Sequence, residues 1–131
     1  MLAAGHSLSG KQYLEAKDFG NETLFCPGLF SESLLHQRVL RPAGIWPRAL
    51  TEISLVESAL ELVKYDFGVA VLPRSAVEHY LALGDIRAIP ITSHGLRRMW
   101  RAATRAVKRP PETLKALVED LRRESPPNVT N

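Results

Sequence analysis

The stretch that most constrains this chain is Gly68-Val69-Ala70-Val71-Leu72-Pro73, four apolar residues in a row between a glycine and a proline. Residues on both sides have helical spacing: Leu60 and Val63 before it, Val77, Tyr80 and Leu81 after it. A strand with one face in water alternates apolar and polar residues, whereas this one would be covered on both faces. That is the habit of parallel sheets. Parallel neighbours cannot be joined by a tight hairpin and need a crossover, usually a helix, of right-handed sense. The stretch therefore predicts an α/β architecture in which helices cover both faces of an open, mostly parallel sheet.

The flanking sequence extends the pattern. Residues 22–27, Glu-Thr-Leu-Phe-Cys-Pro, read as a strand, and Ser31 as the N-cap of a helix carrying Leu34, Leu35 and Val39 on one side. Pro42 should stop that helix and Gly44 should supply a left-handed exit. Residues 49–54 read as the next strand. Ser54 with Glu57 has the spacing of a capping box, followed by an apolar stripe of Val56, Ala59, Leu60, Val63 and Phe67. Gly68 is expected to end this helix. After Val69–Leu72, Ser75 with Glu78 repeats the capping-box spacing, Gly84 closes the helix, and residues 86–91 offer a fourth strand. The expected order is β-α-β-α-β-α-β, all parallel. Residues 95–105 read as one more strand, and residues 110–123 as an amphipathic helix with Leu114, Leu117, Val118 and Leu121 on one side. The last six residues carry no core and are expected to be disordered.

Length and composition exclude more than they assign. The 131 residues suit one compact domain, and a net charge of +3 is too small to imply a nucleic-acid partner by itself. From Arg97 to Arg123 nine Lys or Arg face three acids, which reads as a solvated basic face because no aromatic ladder interrupts it. The opening residues lack a basic n-region followed by an apolar core, and no run approaches the ~18 apolar residues of a membrane span. A cytoplasmic location without membrane contact is expected. One cysteine, Cys26, excludes an internal disulfide framework. No nucleophile elbow, phosphate loop, dinucleotide fingerprint or zinc helix occurs, and His6, His36, His79 and His94 have no ligand spacing. Neither a cofactor, nor a metal, nor enzymatic chemistry is expected.

What the pattern supplies is a sheet edge. In an open parallel sheet the strand C-termini and the following helix N-termini line one side, where free amides attract anions. Three junctions fall there: Cys26, Pro27 and Gly28 leading to Ser31; Ser54 leading to Leu55; and Leu72 with Pro73 leading to Ser75. Each serine reads equally well as a plain helix cap. Their convergence on one edge points to a small-ligand cleft. Cys26 at a strand end reads as a buried cysteine rather than a nucleophile, since no resolving partner exists.

These residues also resemble a known family. The segment from His6 to Phe25 is similar to the H-P-L-x-x-K…ETL region of LysR-type transcriptional regulators, and residues 58–81 to their LVxxGxGVAxLP signature. Residues 38–47 and 95–105 are similar to the branch that regulates methionine biosynthesis. Ser7 stands where the family usually has proline, and Asp66 and Phe67 stand where small residues are common. The resemblance implies an effector-binding domain of two lobes with a periplasmic-binding-protein-like fold, hinged by two crossing strands. On that alignment residues 1–16 are hinge and first-lobe remnant, 17–86 the second lobe, 87–125 a returning strand and helix of the first lobe, and 126–131 a tail. The resemblance implies effector contacts at Cys26, Pro27, Gly28, Ser31, Ser54, Leu55 and Leu72. Homocysteine or a related amino acid is the implied effector, and a homodimer the implied assembly, with residues 31–41 as the contact. The winged helix-turn-helix that would read DNA is expected to lie outside this chain, which reads as truncated and unable to hold an operator alone. A lobe of a transport solute-binding protein would share the fold but require export, and a small α/β enzyme would require a polar constellation not found here.

Overall fold

A computed structural model describes residues 1–97 and 111–124 of the chain. It divides into two compact units, Met1–Arg98 and Met99–Asn131. The first is built on a three-stranded parallel sheet in the order β3-β2-β4, with β2 (Thr23–Pro27) flanked by β3 (Ala49–Ile53) and β4 (Val69–Ala70). Leu24 is registered with Leu50 on one side and Val69 on the other.

Alternation along β2 and β4 sends side chains to two separate cores. Leu24, Cys26 and Val69 join Leu14, Phe19, Phe30, Leu35 and Leu40 on one face. Phe25 and Ala70 join Ala59, Leu60 and Val63 of helix α2 (Val56–Lys64), together with Val77, on the other. A strand buried on both faces is what the Val69–Leu72 run required, although only its first two residues pair as strand. At roughly 1.5–3 kcal/mol for each large apolar side chain removed from water, these faces supply the main stabilisation of the unit.

Gly68 has a different role from the expected one. Helix α2 ends at Lys64 and the left-handed turn falls on Asp66, with φ of 61°. Gly68 is buried, and a Cβ there would lie 2.3 Å from the Thr23 carbonyl oxygen and 2.9 Å from Thr23 Cβ. It is the absence of a side chain that lets β4 close on β2. Because the helix stops early, Phe67 drops off the apolar stripe and is 64% exposed.

The helix starts also differ from the sequence expectation. Residues 30–32 wind as a 3-10 turn, and the following helix is capped by Ser33, whose hydroxyl accepts from the His36 amide at 3.1 Å. Ser31 is exposed and only its carbonyl is used, by Gln37. Residues 36–40 are π-helical, Arg41 donating to the His36 carbonyl five residues back, before the short α1 (Arg41–Ala43). This wide turn opens the hydrogen-bond ladder where the Pro42 ring would otherwise strike the carbonyl four residues earlier. Pro42 is thereby kept inside the helix rather than stopping it. Gly44, with φ of 67°, completes a Schellman exit: its amide reaches Arg41 and that of Ile45 reaches Leu40.

Neither expected capping box forms. Leu55 is still extended, so Ser54 stands one residue too early to cap α2. Residues 74–76 wind as a 3-10 turn, and α3 (Glu78–Ala82) starts from Val77 without a side-chain cap. Gly84, φ 84°, ends it as expected.

The fourth expected strand is a further correction. β5 (Ile86–Arg87) does not extend the parallel sheet; it pairs antiparallel with β1 (Leu2–Ala3). β1 in turn lies beside β4, where Met1 and Ala70 exchange two backbone hydrogen bonds. The Met1 amine is buried there, and burial pushes its pKa down from 8.0 to about 5. In the second unit, α4 (Glu112–Glu124) begins as the Leu114 and Lys115 amides bond to the Pro111 carbonyl. Leu114 and Val118 are half-buried, while Leu117 and Leu121 are exposed. Most of the strand expected over 95–105 and the tail at 126–131 lie outside the described residues.

Candidate functional site

The three strand-to-helix junctions chosen from the sequence do follow the C-terminal ends of parallel strands. β2, β3 and β4 run in one direction, so residues 27–33, 54–56 and 71–74 leave the sheet on the same side. What each presents there is different.

At the first junction, Gly28 takes φ of 86° and donates to the Ile53 carbonyl at 3.2 Å, tying the end of β2 to the end of β3. Leu29, exposed, and Phe30, buried, then open the 3-10 turn. The Phe30 amide donates to Glu52 Oε1 at 2.8 Å. A backbone donor that would otherwise invite an anion is thus already occupied by a carboxylate of the neighbouring strand. The junction therefore presents negative charge. Cys26 points into the core at 7% exposure, and burial, followed by the nearby Glu52 charge, pushes its thiol pKa up. Desolvation of this kind disfavours the thiolate, so Cys26 is not an activated nucleophile.

The second junction has the opposite character. Ser54 and Leu55 are both exposed, and α2 begins without a side-chain cap hydrogen bond, although its first turn carries Glu57. A nine-residue helix leaves its first amides unpaired within the helix, and its positive dipole end adds to their pull on an anion. The third junction contributes Leu72, half-buried against the α2 core, followed by the exposed Pro73 and Arg74.

Of the residues selected from sequence, Gly28, Ser31, Ser54 and Leu55 reach the surface at this end, Pro27 and Leu72 do so in part, and Cys26 does not. Glu52 and Phe30 are added by the structure. Nothing in the linear pattern pairs Glu52 with an amide twenty-two residues away.

Two concavities are described elsewhere on the unit, of about 370 and 360 Å³, and neither is lined by any of the sequence-selected residues. The smaller lies between Tyr13, Arg38 and Thr92, a β-branched residue held at φ 63°. Among the described residues no group of three His, Cys, Asp or Glu is placed to hold a metal ion. No helix among them is long and apolar enough to cross a membrane.

The family description "LysR substrate binding domain" matches residues 1–126. The chain is similar to the solved regulatory domain of MetR, a LysR family regulator from N. meningitidis, and to a double cysteine-to-serine variant of it. Both have 32% identity and a TM-score of 0.69, over 72% of this chain and 44% of theirs. The chain thus spans less than half the length of those domains. Comparison with curated proteins gave no match.

Proposed function

Because this chain belongs to the LysR substrate-binding domain family, we propose that the C-terminal edge of its parallel sheet is the ligand-sensing surface of a transcriptional regulator. Domains of this family are effector-binding modules, not enzymes. The observation that carries the reading is the opposite polarity of two adjacent strand ends. β2 and β3 end side by side; one junction holds the Glu52 carboxylate on the Phe30 amide, and the other leaves the first amides of α2 without a side-chain cap hydrogen bond, Glu57 on that turn making none to the cap. An amino acid in its zwitterionic form matches both, its carboxylate toward the α2 amides and its ammonium toward Glu52.

The likeness to methionine-biosynthesis regulators makes homocysteine the first candidate. Pro27, Gly28, Ser31, Ser54, Leu55 and Leu72 are the contacts proposed for it. Cys26 would shape the floor from within the core. Ligand binding would then act by population shift, stabilising one arrangement of the sensing domain over another by the ~1–3 kcal/mol typical of such coupling. A homodimer contact along residues 31–41 belongs to the same reading.

The test is calorimetric titration of the chain with homocysteine, other amino acids and small organic acids, repeated with Ser54→Ala and Glu52→Gln. Saturable binding of an amino acid, weakened in both variants, is the expected result. Heat from organic acids alone, unaffected by Glu52→Gln, would overturn the zwitterion reading.

A further inference from the structure

A second site is suggested by charges that the sensing surface does not use. The 370 Å³ groove lies where three separated segments meet: residues 9–12 after the first 3-10 helix, Arg74 and Leu81 around α3, and residues 86–90 of β5 and its continuation. Its charged lining is Lys11, Arg74 and Arg87, and no carboxylate lines it. Lys11 is paired with Asp18, whereas neither Arg74 nor Arg87 has an ion pair among the described residues. Ser9 and Gln12 add neutral polar groups, and Ile86, buried, and Ile89, half-buried, add an apolar floor.

Two guanidinium groups on one concave wall without a counter-ion raise the local positive potential. Each offers a planar fork that fits two oxygens of a carboxylate or phosphate. The volume is that of a small-ligand site. We propose that this groove binds a compact dianion, a short dicarboxylate or a phosphate monoester, with Arg74 and Arg87 gripping its charged ends and the apolar floor holding its carbon skeleton. The site is independent of the zwitterion reading: it uses none of the contacts proposed for the effector, although Arg74 follows directly on the third junction.

The experiment is amide-resolved NMR titration of the full chain with succinate and, separately, glycerol phosphate, against sodium chloride at matched ionic strength. Saturable shifts confined to residues around Lys11, Arg74, Leu81 and Arg87, with either probe, support the site. The Arg74→Gln, Arg87→Gln double variant should weaken the response by at least about tenfold, the loss of charge-assisted pairing. A melting curve for this variant matching that of the parent would show that folding is intact. Shifts reproduced by chloride, spread evenly over all Lys and Arg residues, or retained in the double variant would overturn it. Movement of the Ser54 and Glu57 amides with unchanged groove residues would overturn the groove while leaving the sensing surface standing.

Discussion

β3 and β4 flank the same strand in the same direction, yet their environments are opposite. Both residues of β4 are buried, and its outer edge is covered by Met1. Four of the five residues of β3 are exposed, and no strand pairs along its outer edge among the described residues. Pairing alone thus does not decide what a strand does. β4 holds the unit together, while β3 has freedom to carry function, and it is β3 that supplies Glu52 and leads into Ser54.

That contrast can be broken or sharpened by measurement. The largest effect is expected from Gly68→Ala. The added Cβ would meet the Thr23 backbone oxygen, which the β2–β4 pairing fixes, so urea unfolding should show a loss of about 3 kcal/mol. A loss under 1 kcal/mol would mean that β4 is less tightly held than its burial implies.

The next effect concerns the Met1 edge of β4. The Met1 amine is neutral in the fold above pH 5 but takes up a proton in the unfolded chain below pH 8. The unfolded state therefore binds more protons between these values, and stability falls as pH falls through them. Moving from pH 8 to pH 6 should cost about 2.5 kcal/mol from this group, at ~1.4 kcal/mol per unit. An N-acetylated chain keeps the amide donor but loses the titration, so the difference between the two chains should vanish at pH 8 and open toward pH 5. Parallel pH profiles would refute the buried-amine account.

On β3, Glu52→Gln retains an acceptor for the Phe30 amide and removes only the charge. Its cost should be about 1 kcal/mol, with a larger effect on amino-acid binding than on the denaturation midpoint. Smallest is Thr51→Ala on the exposed part of β3, within about 0.5 kcal/mol of the parent. A cost near that of Gly68→Ala would erase the distinction between the two flanks.

The layout of the sheet was legible because burial leaves a mark on sequence. Leu24–Cys26 and Val69–Ala70 are apolar on successive residues, and they are the strands with a core on each side. Gly44 and Gly84 announced their left-handed turns for the same local reason, the lack of a Cβ. Helix starts were less legible. A serine three residues before a glutamate caps only if the chain turns helical immediately after it, and Leu55 does not. The direction of β5 was hidden because an apolar run carries no information about which strand it will meet; β1 took it. The edge junctions could be named from strand order, but their polarity could not, since the bond from Phe30 to Glu52 crosses between strands. Lys11 lies more than sixty residues from Arg74 and Arg87 in sequence, and only the fold brings the three to one groove.

The Glu52–Phe30 hydrogen bond has a consequence for selectivity. A free glutamate side chain loses up to about 2 kcal/mol of rotamer entropy when it is fixed. Here that loss is incurred as the chain folds, with one oxygen already held by the Phe30 amide. A cation arriving at the second oxygen meets a preorganised partner and forfeits little of its attraction. A simple anion meets repulsion at the same spot. On the proposed reading this strand end would sort ligands by the sign of charge before it sorts them by shape, and would reject the deaminated analogue of any amino acid that it accepts.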